Sequence, residues 1–328
     1  MSRLSRLSLL AVLGGLLAAA PAAAADPNPW RESRTWNIAH QGGEDEFPSN
    51  TMYAFKQAMK VGADMLELDV GVTKDDQVIV MHDTTLDRTT NGTGTIASHT
   101  LAQIRRLDGA YWFSRRGEHY GHDKRRAAYR FRAIATGKRK PPKGYTRADF
   151  RVPTLRELLR AFPRTPINVE IKGRTKAEGV DEYLTNARVL ASLLNGQPRR
   201  DVIVVSFKQP AVDLFHELAP QFPVAPGIDG AASFLLGGVS PGDGVVAFQL
   251  PITYVLNGTK LNVTTPENVA RAHEAGYAWH NWFGDGDADT PPTWRNLIGW
   301  CVDGVMTARP RAFERTLQAT PNPAACGG

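Results

Sequence analysis

Six side chains with acid-base or ion-binding chemistry stand at the ends of short apolar runs. They are His40 in Asn37-Ile-Ala-His-Gln-Gly-Gly43, Glu67 and Asp69 in Met65-Leu-Glu-Leu-Asp-Val70, His82 in Val80-Met-His-Asp83, and Glu170 and Lys172 in Ile167-Asn-Val-Glu-Ile-Lys-Gly173. Successive side chains of a strand point to opposite faces, so Glu67 and Asp69 share one face, as do Glu170 and Lys172. Leu66, Leu68 and Val70 alternate with the two acids. Taken singly, each acid reads as a surface residue and each histidine as a packed or loop residue. Two acids on one face of an apolar strand read differently, because buried carboxylates are costly without a cation or partner. A set made only of carboxylates favours a hard ion, calcium or magnesium, since zinc sites generally use histidine or cysteine. Glu67, Asp69 and Glu170 are therefore assigned to one divalent cation. Imidazole titrates near neutral pH, which makes His40 and His82 the candidate general base and acid. Lys172 would set a point charge on a phosphate oxygen, against the plainer reading of a salt bridge with Glu170. Together these groups suffice for metal-assisted phosphoryl chemistry.

Such a constellation needs a scaffold that brings strand ends together. Strand-like runs alternate with amphipathic helical ones, the pattern of a parallel sheet with covering helices. Strands are expected over Trp36 to Ala39, Met65 to Val70, Val78 to Met81, Ile167 to Ile171, Val202 to Phe207, Phe222 to Ile228, Val245 to Leu250, Tyr277 to Trp282 and Gly304 to Thr307. The second and third flank Lys74-Asp-Asp-Gln77 and read as a hairpin on one sheet position. Helices are expected over Asn50 to Val61, from Pro153, and over Pro266 to Gly276. Between Gly109 and Arg151 the alternation stops: thirteen Lys and Arg stand there against three Asp and Glu, among eight aromatic residues. A stretch that long without periodicity marks a functional insertion or disorder, and its aromatics argue against complete disorder.

The chain of 328 residues carries a formal charge of +6. Its start has Arg3 and Arg6, an apolar stretch from Leu9 to Ala20, then Pro21-Ala-Ala-Ala-Ala25, the plan of a cleaved secretory signal over residues 1–25. That stretch is too short to span a bilayer. A secreted or extracytoplasmic location is expected, and with it a candidate disulfide between Cys301 and Cys326.

The order of the motifs resembles the glycerophosphodiester phosphodiesterases. Members carry His-Arg-Gly, Pro-Glu-Asn-Thr, Glu-Leu-Asp-Val, His-Asp, Leu-Asp-Arg-Thr-Thr-Asn-Gly-Thr-Gly, Glu-Ile-Lys and Gly-Val-Asp-Gly. Here these stand as His40-Gln41-Gly42, Pro48-Ser49-Asn50-Thr51, Glu67 to Val70, His82-Asp83, Leu86 to Gly94, Glu170 to Lys172 and Val302-Asp303-Gly304-Val305. Gln41 replaces an arginine and Ser49 a glutamate. The resemblance runs from about Trp36 to Pro310 and implies a TIM (β/α)8 barrel over residues 26–320, with the basic insertion at about 109–151 after the second strand region and a tail over 321–328. It implies that His40 and His82 are catalytic and that Glu67, Asp69 and Glu170 hold the cation. Gln41, Lys172 and Trp279 are taken as substrate-binding, Trp279 as a wall for glycerol or as packing.

The expected activity is metal-dependent hydrolysis of glycerophosphodiesters to glycerol 3-phosphate and an alcohol, with small or polymeric substrates. The insertion is a candidate contact for a membrane surface or polyanion, and no nucleic-acid partner is expected. Two alternatives stand beside this: phospholipase D-type cleavage of lysophospholipid or sphingomyelin, and a non-catalytic binding protein on the same barrel.

Overall fold

Short β-branched and apolar segments pair in parallel because each is followed by a helix that carries the chain back to the same end of the sheet. In a computed structural model, which describes residues 28–31, 33–115, 120–175, 181–256, 258–284 and 286–326, strand β1 (Trp36–Ala39) pairs with β2 (Met65–Val72), to which β3 (Val78–Val80) adds an antiparallel arm. From β2 the ring continues to β4 (Ile167–Ile171) and β5 (Val202–Val205). On the far side of β1, and numbered in chain order, lie β10 (Gly304–Thr307), β9 (Ala278–Trp282) and β6 (Ala247–Pro251). Val224 closes the gap by parallel bridges to Val204 and Val245. The strand expected over Phe222 to Ile228 is reduced to that bridge. Pro223 and Pro226 lack the N–H a ladder needs, and Ile228 already starts a helix. A β-hairpin, β7 (Thr253–Leu256) with β8 (Thr259–Asn262), follows β6 and was not expected. The signal-like segment lies outside the described residues.

Nine helices are present among the described residues: α1 (Met52–Lys60), α2 (Leu101–Ile104), α3 (Leu155–Ala161), α4 (Glu182–Asn195), α5 (Gln209–Leu218), α6 (Ile228–Gly237), α7 (Pro266–Glu274), α8 (Pro291–Gly299) and α9 (Pro310–Ala319). Their starts are chemically specified. Thr51 accepts from the Ala54 N–H at 3.2 Å, and Thr154 with Glu157 forms a capping box on α3.

Parity decides which side chains enter the barrel. Leu66, Leu68, Val70, Val169 and Ile171 pack outward in a core shared with the helices. Ile38, Met65, Ile203, Ala247, Ala278 and Met306 form the inner cluster. Glu67 and Asp69 share the inward parity of Met65, and Glu170 that of Asn168. The lumen is confirmed by Gln249 Nε2, which donates to Asn168 Oδ1 at 3.0 Å between strands that are not neighbours.

The basic insertion packs on α1 through its aromatic residues. Tyr53 of α1 lies 4.7 Å from the Phe150 ring and 5.0 Å from Phe131, and Lys56 binds Asp149 at 2.5 Å. Arg132 stacks over Tyr129 at 3.9 Å, Tyr111 at 4.1 Å and Trp112 at 4.4 Å, so one of the basic residues serves a cation–π cluster inside the insertion. Cys301 and Cys326 form the disulfide, tying the tail to the turn before β10.

Candidate functional site

The site is built where β1, β2 and β4 end. After β1 the chain makes a tight turn, His40–Gly42, in which Gln41 takes a φ of 50° and Gly42 one of 79°. A side chain at Gly42 would meet the Ala54 Cβ at 2.9 Å, so the close approach to α1 requires glycine. The turn aims the Gln41 N–H at Glu67 Oε2, 2.8 Å away, and brings His40 Nε2 to 3.9 Å from that oxygen. On β2 Asp69 is fully buried and accepts from Asn50 Nδ2 at 3.1 Å. Asn50 itself sits at a φ of 54°, a left-handed position that asparagine tolerates better than most residues. Register pairs Asp69 with Glu170 across the β2–β4 ladder.

Glu67, Asp69 and Glu170 each offer an oxygen, and these oxygens lie within 4.8 Å of one another. Lys172 Nζ is 2.7 Å from Glu170 Oε1 and 3.4 Å from Asp69 Oδ1, yet neither oxygen receives a hydrogen bond of good geometry. Three clustered carboxylates, two of them with a buried oxygen that receives no hydrogen bond, fit a hard divalent cation. Electrostatics agree. Burial and the charge of Asp69 push the Glu67 carboxyl up to about 8. Burial acts against ionised Asp69 as well, but His82, Lys172 and His40 outweigh it and hold its carboxyl below the usual range. Burial opposes the charge on Lys172 too, and Asp69 and Glu170 still hold its ammonium above its ordinary value.

The two histidines flank this cluster, each held by its own acid. His40 Nδ1 pairs with Glu44 Oε1 at 2.8 Å; burial disfavours its charge, but Glu44, Glu67 and Asp69 prevail and push it up to about 10. His82 follows the β3 arm, where the Met81 N–H donates to the Asp69 carbonyl at 2.9 Å. Its Nδ1 pairs with Asp83 Oδ1 at 2.7 Å, and Arg88 Nε donates to the other oxygen of Asp83, also at 2.7 Å.

His40, Glu67, His82, Glu170 and Lys172 therefore line one cavity of about 270 Å³, with Asp69 beneath them. The two remaining residues singled out for substrate lie elsewhere. Gln41 is 2% exposed, and its side-chain oxygen accepts from Ser49 Oγ at 2.5 Å. Trp279 is fully buried on the outward face of β9, against Phe248, with its Nε1 donating to Thr264 Oγ1 at 3.1 Å. The tryptophan that lines the cavity is Trp282, of the opposite parity. Glu44 and Arg88 were missed as supports of the histidines. Glu44 follows His40 by one helical turn's spacing, and Arg88 stands in the Leu86 to Gly94 motif, so both were within reach of the sequence.

The model of the glycerophosphoryl diester phosphodiesterase family matches residues 40–312. A glycerophosphodiester phosphodiesterase of Bacillus subtilis (strain 168) is 31% identical over 296 residues, covering 89% of this chain and 90% of that protein. Human lysophospholipase D GDPD1 is 36% identical over 136 residues, which is 42% of this chain and 36% of that one. In fold, a phosphodiesterase of Oleispira antarctica solved with sn-glycerol-3-phosphate aligns at a TM-score of 0.60 and 19% identity, covering 86% of this chain and 96% of that one. With a family match that spans the barrel and a relative alike over nearly its whole length, the chain belongs to the glycerophosphoryl diester phosphodiesterase family.

Proposed function

We propose that the chain hydrolyses glycerophosphodiesters to glycerol 3-phosphate and an alcohol, with one calcium or magnesium ion held by Glu67, Asp69 and Glu170 and with His40 and His82 as the acid-base pair. The observation that carries this reading is the set of three carboxylate oxygens within 4.8 Å of one another, flanked by both histidines in one cavity. When bound, the ion would supply Lewis-acid polarisation of a phosphoryl oxygen. Lys172 places a fixed positive charge beside the same oxygens, where it can stabilise charge on the phosphoryl group. One histidine takes the proton of the attacking hydroxyl, from water or from the glycerol 2-position, and the other protonates the departing alcohol. Glu44 orients His40, and the Asp83–Arg88 pair orients His82. The charge on each acid also stabilises its imidazolium.

Release of glycerol 3-phosphate from glycerophosphocholine, followed after chelation and with calcium or magnesium restored, tests the assignment. Turnover should need the ion and should fall at least a thousandfold in His40→Ala and in Glu67→Gln. Full activity after chelation, or in either variant, would remove the ion or the histidine from the mechanism. We also propose export. The signal-like segment and the Cys301–Cys326 bond support it. Fractionation of the native host's cells should find the mature chain, lacking about twenty-five residues, outside the cytoplasm.

A further inference from the structure

The loop that carries Arg88 is gripped by the basic insertion at two points. Tyr120 lies under the guanidinium, its ring centroid 4.8 Å from the Arg88 Cζ, within the range of a cation–π contact. His122 Nε2 donates to the Arg88 carbonyl at 3.3 Å, and the His122 ring is itself stacked on Trp112 at 4.0 Å. The far end of Tyr120 is anchored on the barrel. Its Oη accepts the Ser49 N–H at 2.6 Å, in the segment between β1 and α1, and both residues are buried. Burial pushes the phenol above its ordinary value, which holds it neutral. Packing in the insertion's aromatic cluster, where Phe113 lies 5.9 Å away, accounts for the burial of the ring. It does not account for a guanidinium on the face of the ring and a backbone N–H on its oxygen.

We infer that Tyr120 is a positioning residue for the hydrolysis: it fixes Arg88, and through Arg88 and Asp83 it fixes His82, so that the insertion is part of the catalytic apparatus. The inference rests on the phosphodiesterase reading above. Each step of the path is a contact: ring to guanidinium, Arg88 Nε to Asp83 Oδ2 at 2.7 Å, and Asp83 Oδ1 to His82 Nδ1 at 2.7 Å. The path matters because its members are not locked by burial as Glu67 and Asp69 are. The side chains of Arg88 and His82 are 34% and 40% exposed. A side chain that open keeps one geometry only where a neighbour restricts its rotamers, and the anchored ring of Tyr120 does so for Arg88. Tyr120 itself does not line the cavity. It therefore moves no proton and touches no substrate, and the proton transfers remain those of the two histidines.

The test compares Tyr120→Leu, Tyr120→Phe, Arg88→Ala and the double variant of Tyr120→Leu with Arg88→Ala, with glycerophosphocholine as substrate and calcium or magnesium present. Tyr120→Leu should lower kcat at least about tenfold with KM changed less than about twofold, since the residue serves orientation alone. Tyr120→Phe keeps the ring under the guanidinium and should recover most of that loss, although it leaves the buried Ser49 N–H without its acceptor and lowers stability. In the Arg88→Ala background Tyr120→Leu should change kcat less than about threefold, because residues that act along one path are not additive. A role confined to packing would give the same fractional loss with and without Arg88. Tyr120→Met, which fills more of the space, takes the place of Tyr120→Leu if that chain does not fold. Heteronuclear NMR relaxation of the Arg88 Nε–H, assigned by its absence from Arg88→Ala, reads the first contact without turnover: ordered in the wild type and in Tyr120→Phe, mobile in Tyr120→Leu. A kcat loss equal in both backgrounds, a rise in KM at constant kcat, or an Arg88 Nε–H as ordered in Tyr120→Leu as in the wild type overturns the inference and leaves the phosphodiesterase reading intact. If the wild type cleaves no diester, the hydrolysis reading fails; loosening of the Arg88 Nε–H in Tyr120→Leu then still establishes the clamp, and an unchanged Nε–H removes it as well.

Discussion

Ser49 Oγ donates to Gln41 Oε1 at 2.5 Å, and both side chains are buried. These are the two positions at which the chain departs from the family's arginine and glutamate. The two departures are in contact and chemically matched: a buried guanidinium needs a carboxylate, whereas an amide needs only a hydroxyl. Tyr120 of the basic insertion closes over the pair, its Oη accepting from the Ser49 N–H at 2.6 Å. Gln41 still performs its backbone task, since its N–H reaches Glu67 whatever its side chain is.

From this pairing, Gln41→Arg alone and Ser49→Glu alone should each cost about 3 kcal/mol, as uncompensated buried charges do. Together they should cost less than the sum by at least about 2 kcal/mol. Urea unfolding of the four proteins gives that coupling directly. Additive costs would mean that the two positions changed independently.

Lys172 should compete with the divalent ion. Its ammonium now lies beside Asp69 and Glu170, which are also the ion's proposed ligands. Lys172→Met should tighten calcium or magnesium binding by at least about threefold, because a like charge a few ångströms away is removed. It should also lower kcat/KM about a hundredfold through lost stabilisation of phosphoryl charge. Calorimetry and initial rates separate the two effects. Ion affinity that weakened in the variant would show that Lys172 helps to build the site and does not oppose its occupant.

Asp83 acts through His82. Burial opposes its charge, but hydrogen bonds from His82 and Arg88 hold its carboxyl well below the ordinary range and favour the anion. Asp83→Asn keeps the shape but removes the charge and reverses one hydrogen bond, so the imidazole loses its fixed orientation. The expected outcome is a fall in kcat of about a hundredfold with KM little changed, as for a group that serves the transition state alone. A rise in KM at constant kcat would place Asp83 in substrate binding.

What could be read from the sequence follows from where polar residues interrupt apolar strands. On β2 and β4 the acids mark the inward face, so parity alone found Glu67, Asp69 and Glu170. Strand β9 is buried on both faces, as parallel strands are, so its pattern cannot say which side is the lumen. That is why Trp279 could be read either as a wall of the site or as packing, and the structure places it in the core. The fifth barrel position was read too long because its prolines were not weighed against its apolar residues. The β7–β8 hairpin had a signal that went unused, β-branched residues around Asn257-Gly258. The apolar part of the cavity was not legible, since it is lined by α6 and by the β7–β8 hairpin, which the sequence reading did not include.

A pH dependence of stability should come from Asp289, at the start of α8. Burial raises its carboxyl from 3.8 to about 6, although Trp294 Nε1 at 2.6 Å, Thr307 Oγ1 at 2.9 Å and the Ala308 N–H at 2.9 Å all donate to it. These bonds tie the end of β10 to the start of α8. Because the folded protein binds this proton more tightly than the unfolded chain, the group stabilises most below the unfolded value, and that contribution is lost as pH rises through about 4 to 6. The loss is at most about 3 kcal/mol. Asp289→Asn does not titrate and pays a constant cost of about 1 kcal/mol for a mismatched hydrogen bond. The stability difference between the two proteins, measured by urea unfolding from pH 4 to 7, should therefore shift toward the variant as pH rises, because all other titrating groups are shared. A difference independent of pH would show that the three donors cancel burial and that Asp289 is ionised throughout.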